Sequence, residues 1–162
     1  MSANEPPALV LRDAALDGPE GLLLIDELQQ EYVQRYGGPD ETPVDPRQFD
    51  PPGGAFLIAE LDGILIGCAG LRPFGPDVVE LKRMFVRTDY RRRGLAKVLL
   101  AAVENRALEL GYQRLILETG AKQPEAVALY ESQGYQPHEK FGHYKDSELS
   151  RMFVRDLQSD AL

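Results

Sequence analysis

The chain has 162 residues, of which 43% are hydrophobic and 27% charged, and its formal net charge is −8 at pH 7. This length suits one soluble globular domain spanning residues 1–162. The acidic balance argues against nucleic acid or an anionic membrane as a partner. No apolar run reaches the roughly 20 residues that span a bilayer, and no signal sequence is recognisable, so we expect a cytoplasmic protein. The single cysteine, Cys68, excludes an internal disulfide and is expected to be a small core residue, and two histidines give no reason to expect a metal.

The negative charge lies mainly in the first third of the chain. Residues 1–54 carry three basic and eleven acidic side chains, whereas residues 55–162 carry fifteen of each. Such an acidic surface would attract a cationic ligand if it lay beside the functional site. From charge alone, a solvated face that only aids solubility is the more common explanation.

The N-terminal third predicts a strand, a helix and a loop. Residues 8–12 (ALVLR) are expected to form a short strand. Pro19 and Glu20 favour the start of a helix. Residues 37–54 contain five prolines and four glycines, so we expect a long loop, either a lid or a plain surface excursion. Between them, apolar residues at spacings of three and four form the expected buried stripe of the helix, namely Leu22, Ile25, Leu28, Tyr32 and Tyr36.

The rest of the chain alternates strands and helices. Residues 55–61 and 64–71 are apolar runs joined by Asp62-Gly63, which suits a type I′ turn, so they should pair antiparallel. Residues 78–86 (VVELKRMFV) predict the next strand of a meander. Further along we expect a helix over residues 95–110, a buried strand over 114–118, a short helix over 124–133, and two last strands, one from residue 135 and one over 150–157.

A basic turn stands between the third strand of this meander and the following helix. Residues 82–97 contain seven basic side chains and one acidic side chain. Three arginines run directly into the helix start, where the backbone N–H groups of residues 92–96 are expected to be unpaired. This arrangement suits a phosphate or pyrophosphate, and Gly94 and Ala96 are small enough for a close approach of the backbone. Solvated charge or a nucleic-acid patch is the alternative, but the rest of the chain has no positive excess.

Two sequence motifs occur in the second half of the chain. Residues 91–96 read RRRGLA, and residues 126–135 read AVALYESQGY. They resemble the cofactor motif and the Ala-x-x-Leu-Tyr-x-x-x-Gly-aromatic helix of the GNAT superfamily of acyl-CoA-dependent N-acyltransferases. The likeness covers almost the whole chain and implies an α/β (α+β) fold, with a single mixed, mostly antiparallel central sheet flanked by helices.

The resemblance also implies acetyl-CoA (coenzyme A) as the acyl donor. Gln123 stands where the family pattern often has Asn. A bulge in the strand over residues 78–86 is expected to expose backbone N–H groups that line the acyl-CoA arm and stabilise an oxyanion. The residues expected to bind the donor are Met84, Phe85, Val86, Arg91, Arg92, Arg93, Gly94, Leu95, Ala96, Gln123 and Tyr130.

Two residues are expected to be catalytic. An alkyl ammonium has a pKa near 10.4, so a base must remove a proton before attack. Glu80 lies eleven positions before Arg91, as the base glutamate does in some family members, and would act directly or through a water. Lys82 is expected to keep Glu80 ionised, with a plain surface ion pair as the alternative. Tyr130 is similar to the tyrosine that protonates the leaving thiolate, although periodicity alone would make it a core aromatic residue.

The acceptor side is commonly formed in this family by the first helix, the loop after it and the last hairpin. Aromatic and acidic residues there suit a small cationic amine, whereas Arg72 or Arg83 could bind a carboxylate and indicate an amino acid. We predict an N-acetyltransferase that acts on a primary amine of a small molecule by direct attack in a ternary complex. The alternatives are a protein lysine or N-terminal acetyltransferase and a non-catalytic CoA-binding sensor, and a homodimer is common in such folds. The expected substrate-binding residues are Tyr32, Tyr36, Glu80, Phe141, His143 and Tyr144.

Overall fold

The computed structural model describes residues 9–157, which form a seven-stranded sheet with helices on both faces. The strands are β1 (Leu9–Asp13), β2 (Ala55–Leu61), β3 (Ile64–Pro73), β4 (Val78–Val86), β5 (Arg114–Gly120), β6 (Gln136–Pro137) and β7 (Ser150–Asp156). The helices are α1 (Pro19–Tyr36), α2 (Leu95–Glu109) and α3 (Pro124–Ser132). The predicted first strand began at Ala8, which lies outside the described residues.

The strand order is β1-β2-β3-β4-β5-β7-β6. The pair β4–β5 is parallel and every other neighbouring pair is antiparallel, which confirms the predicted mixed, mostly antiparallel sheet. The β2–β3 hairpin closes at Asp62 and Gly63, whose φ angles are 52° and 80°. Two consecutive positive φ angles define the expected type I′ turn.

Helix α1 packs on one face of the sheet, but not through every residue that its periodicity indicated. Leu24 and Leu28 are buried, whereas Leu22 is 54% exposed, so its predicted place in the buried stripe is wrong. The reason is a close approach at Gly21, where a β-carbon would stand 2.2 Å from the carbonyl oxygen of Leu16. The helix therefore turns the face of Gly21 and Leu24 inward.

The sheet separates two hydrophobic clusters. Helices α2 and α3 pack on one face around Leu99, Leu100, Val103 and Tyr130. Helix α1 packs on the other face around a second cluster, to which the loop after α1 contributes Phe49. The expected long loop contains a short 3-10 helix over Pro46–Phe49, which the prolines concealed. Phe49 anchors this short helix, and with it the loop, against the sheet.

Candidate active site

The candidate site lies where β4 and β5 separate. The two strands pair in parallel from Val78 to Leu81 on β4, opposite Arg114 to Leu117 on β5. Parallel strands that diverge leave backbone N–H and C=O groups between them without ladder partners. The sheet is therefore open at its centre, and side chains from both strands can line the gap.

A bulge in β4 lies next to this gap. Gly70 of β3 pairs with Lys82 and Cys68 pairs with Phe85, so two residues, Arg83 and Met84, oppose one residue of β3. Arg83 has a φ of 59°, which is uncommon for a residue other than glycine and is concentrated at functional sites. The expected bulge in this strand is thus present. The bulge also breaks the alternation of side chains along β4, so that the side chains of consecutive residues can point to the same face of the sheet.

Two cavities adjoin the gap and share a wall. The first, of about 310 Å³, is lined by six of the predicted site residues. The second, of about 580 Å³, is lined by the other predicted acceptor residues and by Arg72. Lys82 and Glu118 line both. The first set is Tyr32, Tyr36, Met84, Gln123, Tyr130 and Tyr144, and the second is Glu80, Phe141 and His143.

Tyr130 is both a core aromatic residue and a cavity residue. Its ring packs against Tyr135 and Phe153, with centroid distances of 5.6 and 6.2 Å. Its phenol points to Sδ of Met84 at 3.8 Å and borders the first cavity. Burial raises the pKa of Tyr130, which keeps the phenol protonated at neutral pH. A protonated phenol in this position can donate a proton or a hydrogen bond to a ligand in the gap.

The sequence predicted that Lys82 would pair with Glu80, but the buried Glu80 forms its ion pair with Arg72 instead. It accepts a hydrogen bond of 2.9 Å from Nε of Arg72, its direct partner across β3 and β4. Side chains directly opposite each other in an antiparallel pair lie closest together, which explains why Arg72 takes this place. The ammonium of Lys82 lies instead 3.9 Å from Oδ2 of Asp40. Burial lowers the pKa of Lys82, while Asp40 and Glu80 act in the opposite direction.

Asp40 carries a carboxylate from the loop after α1 into the first cavity. The side-chain amide of Gln29 on α1 forms two hydrogen bonds with the backbone of Asp40. Its Oε1 accepts from the Asp40 N–H at 2.7 Å, and its Nε2 donates to the Asp40 carbonyl oxygen at 3.1 Å. The Asp40 carboxylate accepts hydrogen bonds from Arg83 and from Thr42. Burial alone would raise the pKa of Asp40, but Lys82, Arg83 and Thr42 together lower it to about 2. Asp40 is therefore an ionised anchor and not a proton acceptor.

Glu118 of β5 is a candidate that the sequence analysis missed. Its Oε2 atom is buried and has no hydrogen-bond partner among the described residues. Burial raises the pKa of Glu118; nearby Lys82 opposes this effect, and Asp40 and Glu80 add to it. A carboxylate that ends a run of buried apolar residues, here RLILE, is the sequence signal that would have found it.

The basic turn has the backbone geometry of an uncapped helix start. Gly94 precedes α2 with a φ of 75°, and Arg92 has a φ of 64°. No side chain of residues 9–157 caps the helix, so within this part of the chain its first N–H groups have no side-chain partner, as at helix starts that bind anions. A β-carbon on Gly94 would meet nothing within 4 Å, so the left-handed conformation, and not close packing, requires glycine here. Arg92 and Arg93 are exposed beside this turn.

Arg91 differs from the other two arginines because it is tied into the protein. Its Nε donates to the carbonyl oxygen of Val86 at 2.8 Å, and its Nη2 lies 2.7 Å from Oε1 of Glu31 on α1. Its guanidinium also lies over the ring of Phe85, 5.5 Å from the centroid. Arg91 therefore positions the turn between β4 and α1.

Comparison with known proteins agrees with this geometry. The profile described as "Acetyltransferase (GNAT) family" matches residues 24–135, a span that includes the β4 bulge, the basic turn and Tyr130. The chain belongs to the GNAT acetyltransferase family. It is accordingly an acyltransferase, as the two motifs indicated.

Two relatives of this GNAT acetyltransferase match it over most of their length. The chain is 31% identical over 160 residues to the IAA acetyltransferase of Azospirillum brasilense, with 96% of each chain covered. It is 32% identical over 146 residues to the uncharacterized N-acetyltransferase YjgM of Escherichia coli K12, covering 84% of this chain and 87% of the relative. A Klebsiella pneumoniae protein assigned as an acyl-CoA N-acyltransferase has the same fold, with a TM-score of 0.76, 27% identity, and 92% and 97% of the two chains covered.

Two further properties of the GNAT chain concern residues 9–157. In that part of the chain, none of the helices combines the length and the apolar character needed to cross a bilayer. The same residues contain no cluster of three or more His, Cys, Asp or Glu side chains with the spacing of a metal site. Cys68 is buried in the cluster under α1, where its thiol donates to the carbonyl oxygen of Arg83 at 3.3 Å.

Proposed function

We propose that the protein transfers an acetyl group from acetyl-CoA to the primary amine of a small molecule, by direct attack in a ternary complex. The observation that carries this proposal is the opening between β4 and β5, where Tyr130 and the β4 bulge border a cavity that shares a wall with a second one. Two adjoining cavities allow a donor and an acceptor to bind together. Holding both in one complex makes the transfer effectively unimolecular.

The donor end of the site would hold two parts of acetyl-CoA, namely its pyrophosphate and its extended pantetheine arm. The free amides at the start of α2, with Arg92 and Arg93, would hold the phosphates. Gly94, Leu95 and Ala96 supply the backbone of this turn. When bound, acetyl-CoA supplies a thioester with a thiolate leaving group. The β4 residues Met84, Phe85 and Val86, with Gln123 on the opposite side of the gap, would line its arm.

Proton transfer is assigned to two side chains that border the gap. The phenol of Tyr130 would donate its proton to the sulfur as the C–S bond breaks. The carboxylate of Glu118 would accept the proton that the bound ammonium loses before attack, because its Oε2 has no hydrogen-bond partner among residues 9–157 and Glu118 lines both cavities. After the C–N bond forms, the nitrogen would lose a second proton to solvent, which balances the proton that Tyr130 gives to the sulfur. Glu80 remains a second candidate for this role and would act through a water, since its carboxylate is bonded to Arg72. Backbone N–H groups of β4 beyond Leu81 would stabilise the oxyanion.

The loop after α1 favours a small acceptor over a protein. Gly38, Pro39 and Asp40 line the first cavity, and residues 42–45 line the second. A protein lysine or N-terminal acetyltransferase needs an open groove for a polypeptide, which this loop would obstruct. The same loop would allow a small amine to be enclosed with little water, which strengthens electrostatic interactions at the reacting atoms.

Thiol release from acetyl-CoA over a panel of small amines and lysine peptides tests the proposal. We expect turnover of small amines, a loss of about 100-fold or more in kcat for Tyr130→Phe, and little change for the control Tyr135→Phe. The control removes the phenol of another buried tyrosine, which bonds Glu104 at 2.7 Å. The pH dependence of kcat/KM is measured for Glu118→Gln and Glu80→Gln. The base is the glutamate whose substitution removes the acidic limb of this profile. Turnover of peptides alone would support a protein acetyltransferase, and donor binding without turnover of any amine would support a sensor.

A further inference from the structure

The wall shared by the two cavities contains an ammonium group and a carboxylate oxygen that form no hydrogen bond with other described residues. Lys82 is 7% exposed, and its closest ion-pair partner among the described residues is Asp40, with Nζ and Oδ2 3.9 Å apart. That distance exceeds a hydrogen bond. On the same wall, Oε2 of Glu118 is buried without a partner among residues 9–157. Lys82 therefore has an ion-pair partner but no hydrogen-bond acceptor among these residues, and Glu118 has an oxygen without a donor.

Arg83 places a second cation next to Lys82. In a regular strand, consecutive side chains point to opposite faces. The left-handed bulge at Arg83 overrides this rule, so that both Lys82 and Arg83 line the first cavity and approach Asp40. Arg83 is 8% exposed and donates to Asp40 through Nη1 alone. A guanidinium has five N–H donors, and no other described residue is bonded to those that remain.

The charges around the wall are balanced before any ligand binds. Three cations, Lys82, Arg83 and Arg72, face three carboxylates, Asp40, Glu80 and Glu118. The exposed Lys140, which acts on Glu118, and the exposed Asp45, which lines the second cavity, add one charge of each sign. A ligand with a net positive charge would satisfy Glu118 but add an uncompensated charge beside two buried cations. A ligand that carries both an amine and a carboxylate would satisfy both ends and keep the wall neutral, which matters because unpaired charges are costly at buried sites.

We propose that the acceptor is an amine that also carries a carboxylate, with the carboxylate bound by Lys82 and Arg83 and the amine held at Glu118. This inference rests on the proposed acetyl transfer and specifies its acceptor. Asp40 is then a positioning residue, because it holds the Arg83 guanidinium at the cavity while Gln29 fixes its own backbone. Arg83 can bond Asp40 with one nitrogen and a ligand carboxylate with the others, as guanidinium groups commonly do.

Matched acceptor sets test this inference. For several side chains, thiol release from acetyl-CoA is measured with the amino acid, with its carboxamide and with the corresponding decarboxylated amine. We expect the amino acid to be favoured by at least about tenfold in kcat/KM, because hydrogen bonds to charged groups contribute about 1.5–3 kcal/mol. Most of the difference should appear in KM, since the carboxylate contact is made in the ground state and the transition state alike.

Two variants locate the contact. Lys82→Met keeps the length and apolar body of the side chain but removes its charge, and the preference for the amino acid over its carboxamide should fall several-fold. Arg83→Lys keeps the charge but not the planar fork, and should lower the preference less. Arg114→Gln, which removes an exposed arginine at the far end of β5, should keep the preference of the parent protein. Circular dichroism confirms that each variant is folded.

The outcomes separate the inference from the proposed function. Equal or faster turnover of the carboxamides and decarboxylated amines would overturn the inference and leave the acetyl transfer standing. An amino-acid preference that Lys82→Met and Arg83→Lys do not change would also overturn it, because the carboxylate would then bind elsewhere. If no small amine of any kind is acetylated, the proposed function fails, and the inference fails with it.

Discussion

The phenol oxygen of Tyr36 lies 1.7 Å from the point at which a β-carbon on Gly120 would stand. Tyr36 is the last residue of α1 and Gly120 the last of β5, so this contact joins the helix to the edge of the central gap. The same phenol donates to Oε1 of Gln123 at 3.2 Å, and Arg35 pairs with Glu125 at 2.6 Å. The end of α1 therefore closes the first cavity on the side of α3, and it can do so only because residue 120 lacks a side chain.

Gly120→Ala should expel the ring of Tyr36 from this position. We expect a loss of about 1 kcal/mol in the free energy of unfolding, the usual contribution of a hydrogen bond such as that of Tyr36 to Gln123. Urea denaturation measures this change. In a Tyr36→Ala background the same substitution should be neutral or slightly stabilising, because alanine restricts the unfolded chain more than glycine. An equal loss in both backgrounds would show that the clash is with another group.

Asp40→Asn should be strongly destabilising. The substitution leaves Lys82 and Arg83 as buried cations without their carboxylate, which typically costs about 3–5 kcal/mol. Because the pKa of Asp40 is lowered from 3.8 to about 2, its stabilising effect should be complete above pH 4 and disappear as the pH falls toward 2. Urea denaturation as a function of pH measures both effects.

Asp45→Asn provides the control for this prediction. Asp45 is an exposed residue of the same loop, and its side chain accepts a hydrogen bond from the N–H of Arg47 that an asparagine can also accept. Its substitution should change stability by less than about 0.5 kcal/mol. Similar losses for the two variants would mean that the loop, and not the ion pair with Arg83, determines the effect.

Glu118→Gln should raise stability at neutral pH while it lowers turnover. A carboxyl group whose pKa is raised in the folded state binds protons more tightly there than in the unfolded chain, so the parent protein should gain stability as the pH falls through that pKa. The variant lacks this group and should show a flatter dependence. Tm measured between pH 4 and pH 8 tests the prediction, and a lower Tm for Glu118→Gln at pH 7 would contradict it.

Substitutions in the basic turn should weaken the binding of acetyl-CoA and leave the rate of the chemical step unchanged. Arg92→Gln and Arg93→Gln are expected to raise KM for acetyl-CoA and to weaken its salt dependence, with kcat nearly unchanged, because both contacts would be to phosphates. Gly94→Ala should raise the same KM and also destabilise the protein by about 1–2 kcal/mol, the cost of a left-handed conformation for alanine. Initial rates at two salt concentrations measure these effects. A fall in kcat with an unchanged KM would rule out the phosphate role.

The sequence by itself determined the elements and their order, because the signals for these are local. Asp62-Gly63 predicted a tight hairpin turn, and Gly94 after three arginines predicted the start of a helix, although the left-handed conformation of Gly94 was not predicted. The motifs over residues 91–96 and 126–135 indicated the family, and with it the mixed sheet. A hydrophobic period and a turn residue act within a few positions, so they can be recognised without knowing what packs against them.

Only the tertiary structure decided which polar groups meet. Arg83 and Asp40 lie 43 positions apart. They meet because the loop packs onto α1 and because β4 has a bulge, which the family resemblance implied but no residue pattern within the strand predicts. Glu80 bonds Arg72 because strand register places them opposite each other, and not Lys82, which shares its strand. Glu118 lies opposite Met152 of β7, whose side chain donates no hydrogen bond, and its Oε2 has no partner among residues 9–157. Pairing and burial depend on register and packing between distant segments, and these are properties of the assembled sheet.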